Sequence, residues 1–252
     1  MSDERELLKK RFSELANKSY SSGIFLFSDF LGLMELSVFS SVKSKLSGIH
    51  YTLYGGADGC ERVMVRFGDP ESFGYEVPFP IVMLKAEPVS QKFADRLTHR
   101  DFLGAIINLG IDRSKLGDIV IKENVGYIFA HEDIADYIKN ELTRAKHTEL
   151  KISVCDTLPD GGLYTTERKV VQANGERIDA VIAKVFGMSR DDALSLFAKK
   201  LVFIDGSVCE NNSKAPKVGE TVSVRGYGRF IYLGYESKSK KGKLNIQVDL
   251  YR

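Results

Sequence analysis

The sequence predicts an α+β chain of three small domains, and three observations carry that expectation. Its 252 residues are many for one compact domain and few for three large ones. Apolar runs of helical and strand period alternate along it, interrupted by glycine- and proline-rich stretches. The charge is also uneven: from Asn174 onward there are 14 Lys+Arg against 9 Asp+Glu, a net of +5, and before it 22 against 25, a net of −3. A basic end on a nearly neutral chain directs the search for a polyanionic partner to that end.

Composition narrows the classes further. Hydrophobic residues at 43% and charged residues at 28% suit a packed core rather than disorder. No apolar run approaches the roughly 18 residues that span a bilayer, and the opening MSDERELLKKRF lacks the apolar stretch of a signal peptide. A soluble, cytoplasmic chain without membrane contact is expected. Cys60, Cys155 and Cys209 are far apart with no CxxC pair, and His50, His99, His131 and His147 show no metal-ligand spacing. Neither a metal nor any other cofactor is expected.

Residues 1–75 read as a helix-plus-hairpin domain. Leu7, Leu8, Phe12, Leu15 and Ala16 fall on neighbouring helical positions, and Gly23 stops the helix. His50 to Tyr54 and Arg62 to Phe67 flank GGADGCE, a turn composition, and so form a hairpin. Gly68 to Pro80 reads as loop and boundary. Residues 76–156 give the order β-α-β-β-α-β: Ile81–Ala86, a helix within 91–109 that includes Phe93, Gly117–Lys122, Val125–Ala130, a helix over 134–145, and Glu149–Cys155. That order is the split βαβ, ferredoxin-like or RRM-like, with helices on one sheet face. RNA-recognition domains stack bases on the other face, which makes Tyr127 and Phe129 candidates for a second RNA surface. A face covered by packing is the competing reading.

Residues 157–175 read as a linker containing a strand near Arg168–Gln172, and 176–252 as the third domain. Ile178, Val181, Ile182, Val185 and Phe186 recur at helical spacing, and Gly187 ends that helix. Ser189 is placed to cap a second helix carrying Ala193, Leu196 and Phe197. Val202–Ile204 and Thr221–Arg225 follow as strands. Phe230–Glu236 and Leu244–Leu250 form a last hairpin with SKSKKGK at its tip.

The stretches GERIDAVIAKVFGMSRDDALSLFAKKLVFIDG and KVGETVSVRGYGRF resemble the S-four-type αα-β RNA-binding domain, which takes its name from a ribosomal protein. The wider chain, through RGYGRF and KFADRLTHRDFLGAIINLGIDRSKLGDI, resembles the bacterial YlmH family. The resemblance implies three domains, the middle one RNA-binding, and a partner in ribosomal RNA or tRNA on the large subunit. Members of that wider group, including the small RqcP proteins, bind large subunits that retain peptidyl-tRNA. The implied role is therefore translation or stalled-ribosome quality control, carried out without catalysis by a monomer.

The RNA-binding residues expected are Arg177 and Arg190 at the two helix starts, Ser189, Lys199 and Lys200 at the end of the second helix, Arg225 and Arg229 beside Tyr227, and Lys238, Lys240, Lys241 and Lys243 at the hairpin tip. Helix N-termini attract phosphate through free N–H groups and the helix dipole. Duplex RNA is read largely by its backbone, so rigidly held cations suffice. The alternative for Arg177 and Arg190 is ion pairing inside the domain, with Asp179 as the orienting partner. For the tip lysines the alternative is a solubilising turn. Lys200 stands where the resemblance expects a glycine.

Catalytic patterns are weak. His99-Arg100-Asp101 matches a kinase tripeptide without its other motifs, and no glycine-rich phosphate loop follows a strand. The rivals to an RNA-binding role in translation are a cell-division adaptor localised by RNA and an RNA-modifying enzyme.

Overall fold

The computed structural model describes residues 2–46, 48–240 and 242–252. They form two units, one comprising Met1–Glu35 and Ser41–Leu163, the other Leu36–Ser40 and Tyr164–Arg252.

The first unit begins with α1 (Ser2–Ser22), which buries Phe12 and Ala16 but leaves Leu7 exposed, so its apolar face is narrower than the sequence periodicity suggests. β1 (Leu26–Phe27), α2 (Leu33–Val42), β2 (Tyr51–Tyr54) and β3 (Met64–Phe67) follow. The strands form an antiparallel sheet in the order β1-β3-β2, and Tyr51 opposite Phe67 fixes the expected hairpin. The stretch read as loop holds one helical turn, α3 (Pro70–Phe73). Asp69 caps it, Pro70 sits at its first position and Gly74 closes it in the left-handed region.

The middle segment supplies β4 (Ile81–Pro88), α4 (His99–Asn108), β5 (Leu116–Lys122), β6 (Val125–His131), α5 (Glu132–Glu141), β7 (Arg144–Ala145) and β8 (Thr148–Val154). Their antiparallel order is β5-β6-β4-β8-β7, which is the split βαβ arrangement with one short added edge strand. Leu84, Phe102, Ile106, Ile128 and Ile138 build the core between the sheet and its helices. α4 starts at His99 rather than near Gln91. A capping box joins Thr98 and Asp101 there, and Phe93 lies outside the helix in a 3-10 turn. α5 likewise stops at Glu141, and part of the stretch read as helix becomes β7.

The first and middle segments join through a half-buried arginine. Arg62 donates from Nε to the Leu116 carbonyl at 2.8 Å and from Nη2 to the carbonyls of Phe30 and Arg113, both at 3.1 Å. The Asp118 carboxylate accepts from the backbone N–H of Glu61 and of Arg62. Burial and the neighbouring Arg62 push Arg113 down to about 10, so its guanidinium stays charged at neutral pH.

The second unit contains β9 (Thr166–Ala173), α6 (Ile178–Phe186), α7 (Arg190–Ala198), β10 (Val202–Ile204), β11 (Ser207–Val208), β12 (Thr221–Val224), β13 (Gly228–Lys238) and β14 (Leu244–Tyr251). All six strands join one sheet in the order β11-β10-β12-β13-β14-β9. The strand expected inside the linker is therefore the sheet's edge, paired along its whole length with β14. Val181, Ile182, Val185, Leu196 and Phe197 of the helices pack on Val222, Phe230, Tyr232 and Val248 of the sheet. This is one helical layer on one sheet face.

Candidate nucleic-acid interface

The site is organised by one buried carboxylate. Asp179, in the first turn of α6, is fully buried and meets two guanidiniums. Arg177 donates to it from Nε at 3.2 Å and from Nη2 at 3.0 Å. Arg190, at the start of α7, donates from Nη2 to both carboxylate oxygens at 3.1 and 3.0 Å. Burial alone would raise the Asp179 pKa, but the hydrogen bonds from Arg177 and Arg190 outweigh it and hold the carboxyl below its ordinary range. The aspartate is thus ionised, and the cluster carries two positive charges against one negative. Each arginine side chain remains about half exposed, at 48% for Arg177 and 47% for Arg190. The ion-pairing alternative is therefore met with Asp179 as the partner, and the outer edges of both guanidiniums face solvent.

The helix starts are less open than expected. At α6 the Ile178 and Asp179 N–H groups donate to the carbonyls of Lys214 and Asn212, and Ala180 N–H donates to Asp179 Oδ1 at 2.8 Å. Those amides are already used, so among the groups at the start of α6 the free N–H donors are those of the guanidiniums. This corrects the helix-terminus argument there. At α7 the Ser189 hydroxyl accepts from Asp192 N–H at 3.0 Å and donates to the Asp192 carboxylate at 2.6 Å. Ser189 therefore serves as the cap, and Asp192 is turned onto it.

The other expected residues are distributed differently. Lys199 is the exposed C-cap of α7. Lys200 adopts φ +55°, the left-handed region that favours glycine, and its ammonium meets Glu210 at 2.5 Å. Arg225 is exposed in the β12–β13 turn, with no side-chain partner among the described residues. Arg229 is held between rings, 4.1 Å from the centroid of Tyr251 and 5.1 Å from that of Tyr164. Lys238, Lys240 and Lys243 are exposed at the β13–β14 tip, where Ser239 organises the turn by accepting from Lys243 N–H. Lys241 lies outside the described residues.

Tyr127 and Phe129 do not form an open stacking surface. Phe129 is 1% exposed and Tyr127 is 7% exposed. The first segment covers this face: a methyl group built at Gly56, which has φ +103°, would lie 2.3 Å from the Phe129 ring, and one at Gly117 would strike both Phe129 and Phe30. Packing has taken the face, as the competing reading held.

Sequence reasoning missed two supports. Tyr232, buried in β13, donates its hydroxyl to Glu176 at 2.5 Å and so ties the residue before Arg177 to the sheet. Lys169 of β9 closes the other end of α6 by donating to the Val185 carbonyl at 2.7 Å. A tyrosine–carboxylate pair 56 positions apart and a lysine on a helix-end carbonyl leave no local pattern to find.

Residues 76–158 match the family model described as "Putative RNA-binding domain in YlmH". That segment is similar to the RNA-binding-domain family named for YlmH. The chain is similar to "Ribosome-associated protein quality control protein P2" of Bacillus subtilis, 27% identical over 230 residues that cover 88% of this chain and 85% of that protein. Among solved structures it is similar to the cell division protein YlmH of Streptococcus pneumoniae, at a TM-score of 0.48 and 21% identity over 60% of this chain and 91% of that one. The YlmH-type match falls on the split βαβ segment, whereas the arginine pair lies beyond it in the second unit.

Proposed function

We propose that this is a non-catalytic RNA-binding protein that grips an RNA backbone through its second unit and attaches in that way to the large ribosomal subunit. The observation that carries the reading is the pair Arg177 and Arg190, anchored on the single buried carboxylate of Asp179 with half of each side chain outside. Anchoring removes much of the side-chain freedom that a free arginine would lose on meeting phosphate. The planar guanidinium keeps outer N–H groups for a second acceptor. Lys199, Arg225 and the exposed tip lysines Lys238, Lys240 and Lys243 add positive charge in the same unit.

Similarity to a ribosome-associated quality control protein supports placing that attachment on the ribosome. The finer assignment is a large subunit that retains peptidyl-tRNA, met by a monomeric cytoplasmic protein in rescue of stalled translation. No helix among the described residues is long and apolar enough to cross a membrane.

Sedimentation of cell extract tests this. The chain should travel with large subunits at low salt and leave them at high salt, because phosphate contacts release counterions. Charge reversal at Arg177 and Arg190 should abolish the cofractionation while the circular dichroism spectrum stays unchanged. A chain that stays free at low salt would sink the reading.

A further inference from the structure

In the matched YlmH-type domain the sheet face that could stack bases is covered, yet one aromatic of that domain is bare. Phe93 is 82% exposed, the most exposed of the large hydrophobic residues described. Its position is not the result of a slack loop. Val89 N–H donates to the Glu149 carbonyl at 2.9 Å, and Asp95 N–H donates to Thr148 Oγ1 at 2.8 Å. Asn124 bridges the loop twice, accepting from Leu97 N–H at 2.9 Å and donating to the Asp95 carbonyl at 3.0 Å. The exposed ring contributes no burial to the fold.

One cation lies over the ring and two more follow it in sequence. Lys92 Nζ lies 5.6 Å from its centroid, and Arg96 and Arg100 are exposed nearby in sequence. None of the three forms an ion pair among the described residues. The local carboxylates are occupied: Asp95 accepts from His147 N–H, and Asp101 is taken by Thr98 and Lys146. A groove of about 570 Å³ is lined by Ala94, the residue after Phe93, and by Arg96, Leu97, Ile121, Glu123 and Asn124.

We propose that this loop is a second RNA site, one that takes an unpaired nucleotide: Phe93 stacks on the base, and Lys92, Arg96 and Arg100 hold the flanking phosphates. An aromatic platform beside unneutralised cations is the recognition chemistry of single-stranded nucleic acid and is tolerant of base identity. The site rests on the reading that the chain binds RNA, but it is separate from the arginine pair, which suits duplex backbone. Glu123 is the only carboxylate among the groove's lining residues and opposes the ligand.

The chain contains no tryptophan, so Phe93→Trp introduces a single reporter. In the full-length protein, a short single-stranded oligoadenylate should quench its fluorescence, and an RNA hairpin without unpaired ends should not. Phe93→Ala should weaken oligoadenylate binding about tenfold and leave the hairpin unaffected; Glu123→Gln should strengthen it. Arg190→Glu should weaken the hairpin and leave the quench. Hairpin binding with no quench, and an unchanged Phe93→Ala variant, would overturn the site alone. Absence of binding to either RNA by the unaltered chain would overturn the functional reading with it. Unchanged RNA affinity combined with lost ribosome cofractionation in Phe93→Ala would assign the loop to a protein instead.

Discussion

The Tyr232 hydroxyl donates to the Glu176 carboxylate at 2.5 Å and joins the middle of a sheet strand to the residue that precedes Arg177. Burial, followed by the Glu176 hydrogen bond, raises the Tyr232 pKa above the ordinary phenol range. A raised folded-state value makes this contribution complete below the unfolded phenol pKa and lost as pH climbs above it. Tyr232→Phe should cost about 1–2 kcal/mol in urea denaturation near neutral pH. It should also flatten the alkaline loss of stability relative to the unaltered protein.

Asp179 holds both arginines, so Asp179→Asn should release them together. Because each arginine is half exposed, solvent screens the pair, and the loss should be about 1–2 kcal/mol rather than the larger figure for a fully buried pair. The Asp179 pKa is lowered in the fold, so its contribution is present above the ordinary carboxylate range and disappears as pH falls through the folded value. The Asn variant should lack that acid-sensitive component in a pH series of denaturation curves. Affinity for an RNA hairpin should fall as well, since the guanidiniums lose their anchor.

Charge removal at the arginines should appear in salt dependence. Replacing Arg177 and Arg190 together by Gln should reduce the slope of log affinity against log salt by about two on duplex RNA. An unchanged slope in filter-binding titrations would show that neither residue meets phosphate.

Lys200 occupies a glycine-favouring conformation at φ +55°. Lys200→Gly should relieve that strain and stabilise the second unit by about 0.5 kcal/mol, after allowing for the loss of its exposed pair with Glu210. If Lys200 also touches RNA, the same variant should melt at a higher temperature while binding more weakly. Thermal melting and RNA titration of one sample separate the two effects.

Phe129 is a core residue beneath the first segment. Phe129→Ala should therefore cost about 3–5 kcal/mol. A small-to-absent stability change, with a loss of RNA affinity, would return the residue to an RNA surface.

What was legible in the sequence follows from how local each signal is. The spacing of Ile178, Val181, Ile182 and Val185 gave α6, and Gly187 and Ser189 marked where one helix stops and the next begins. The split βαβ order was likewise visible because each strand and helix carries its own period. The start of α4 was misjudged because Phe93 fits the helical stripe, whereas Asn124, far along the chain, holds that loop out of the helix. Burial of Phe129 had no local sign, since Gly56 and Phe30 come close to it from another segment. Similarly, Arg177 and Arg190 were readable as cations at helix starts, but the loop carbonyls that occupy the α6 amides belong to residues more than thirty positions away.

The pairing of β9 with β14 sets a timetable for synthesis. Gln172 meets Asn245 across 73 positions, and Arg168 meets Asp249 across 81. During translation the arginine pair emerges long before the strand that completes the sheet beneath it. Contacts this distant in sequence form late and slowly. The second unit should therefore gain protease resistance only after residues 244–251 have left the exit tunnel, and until then the RNA grip is unfinished.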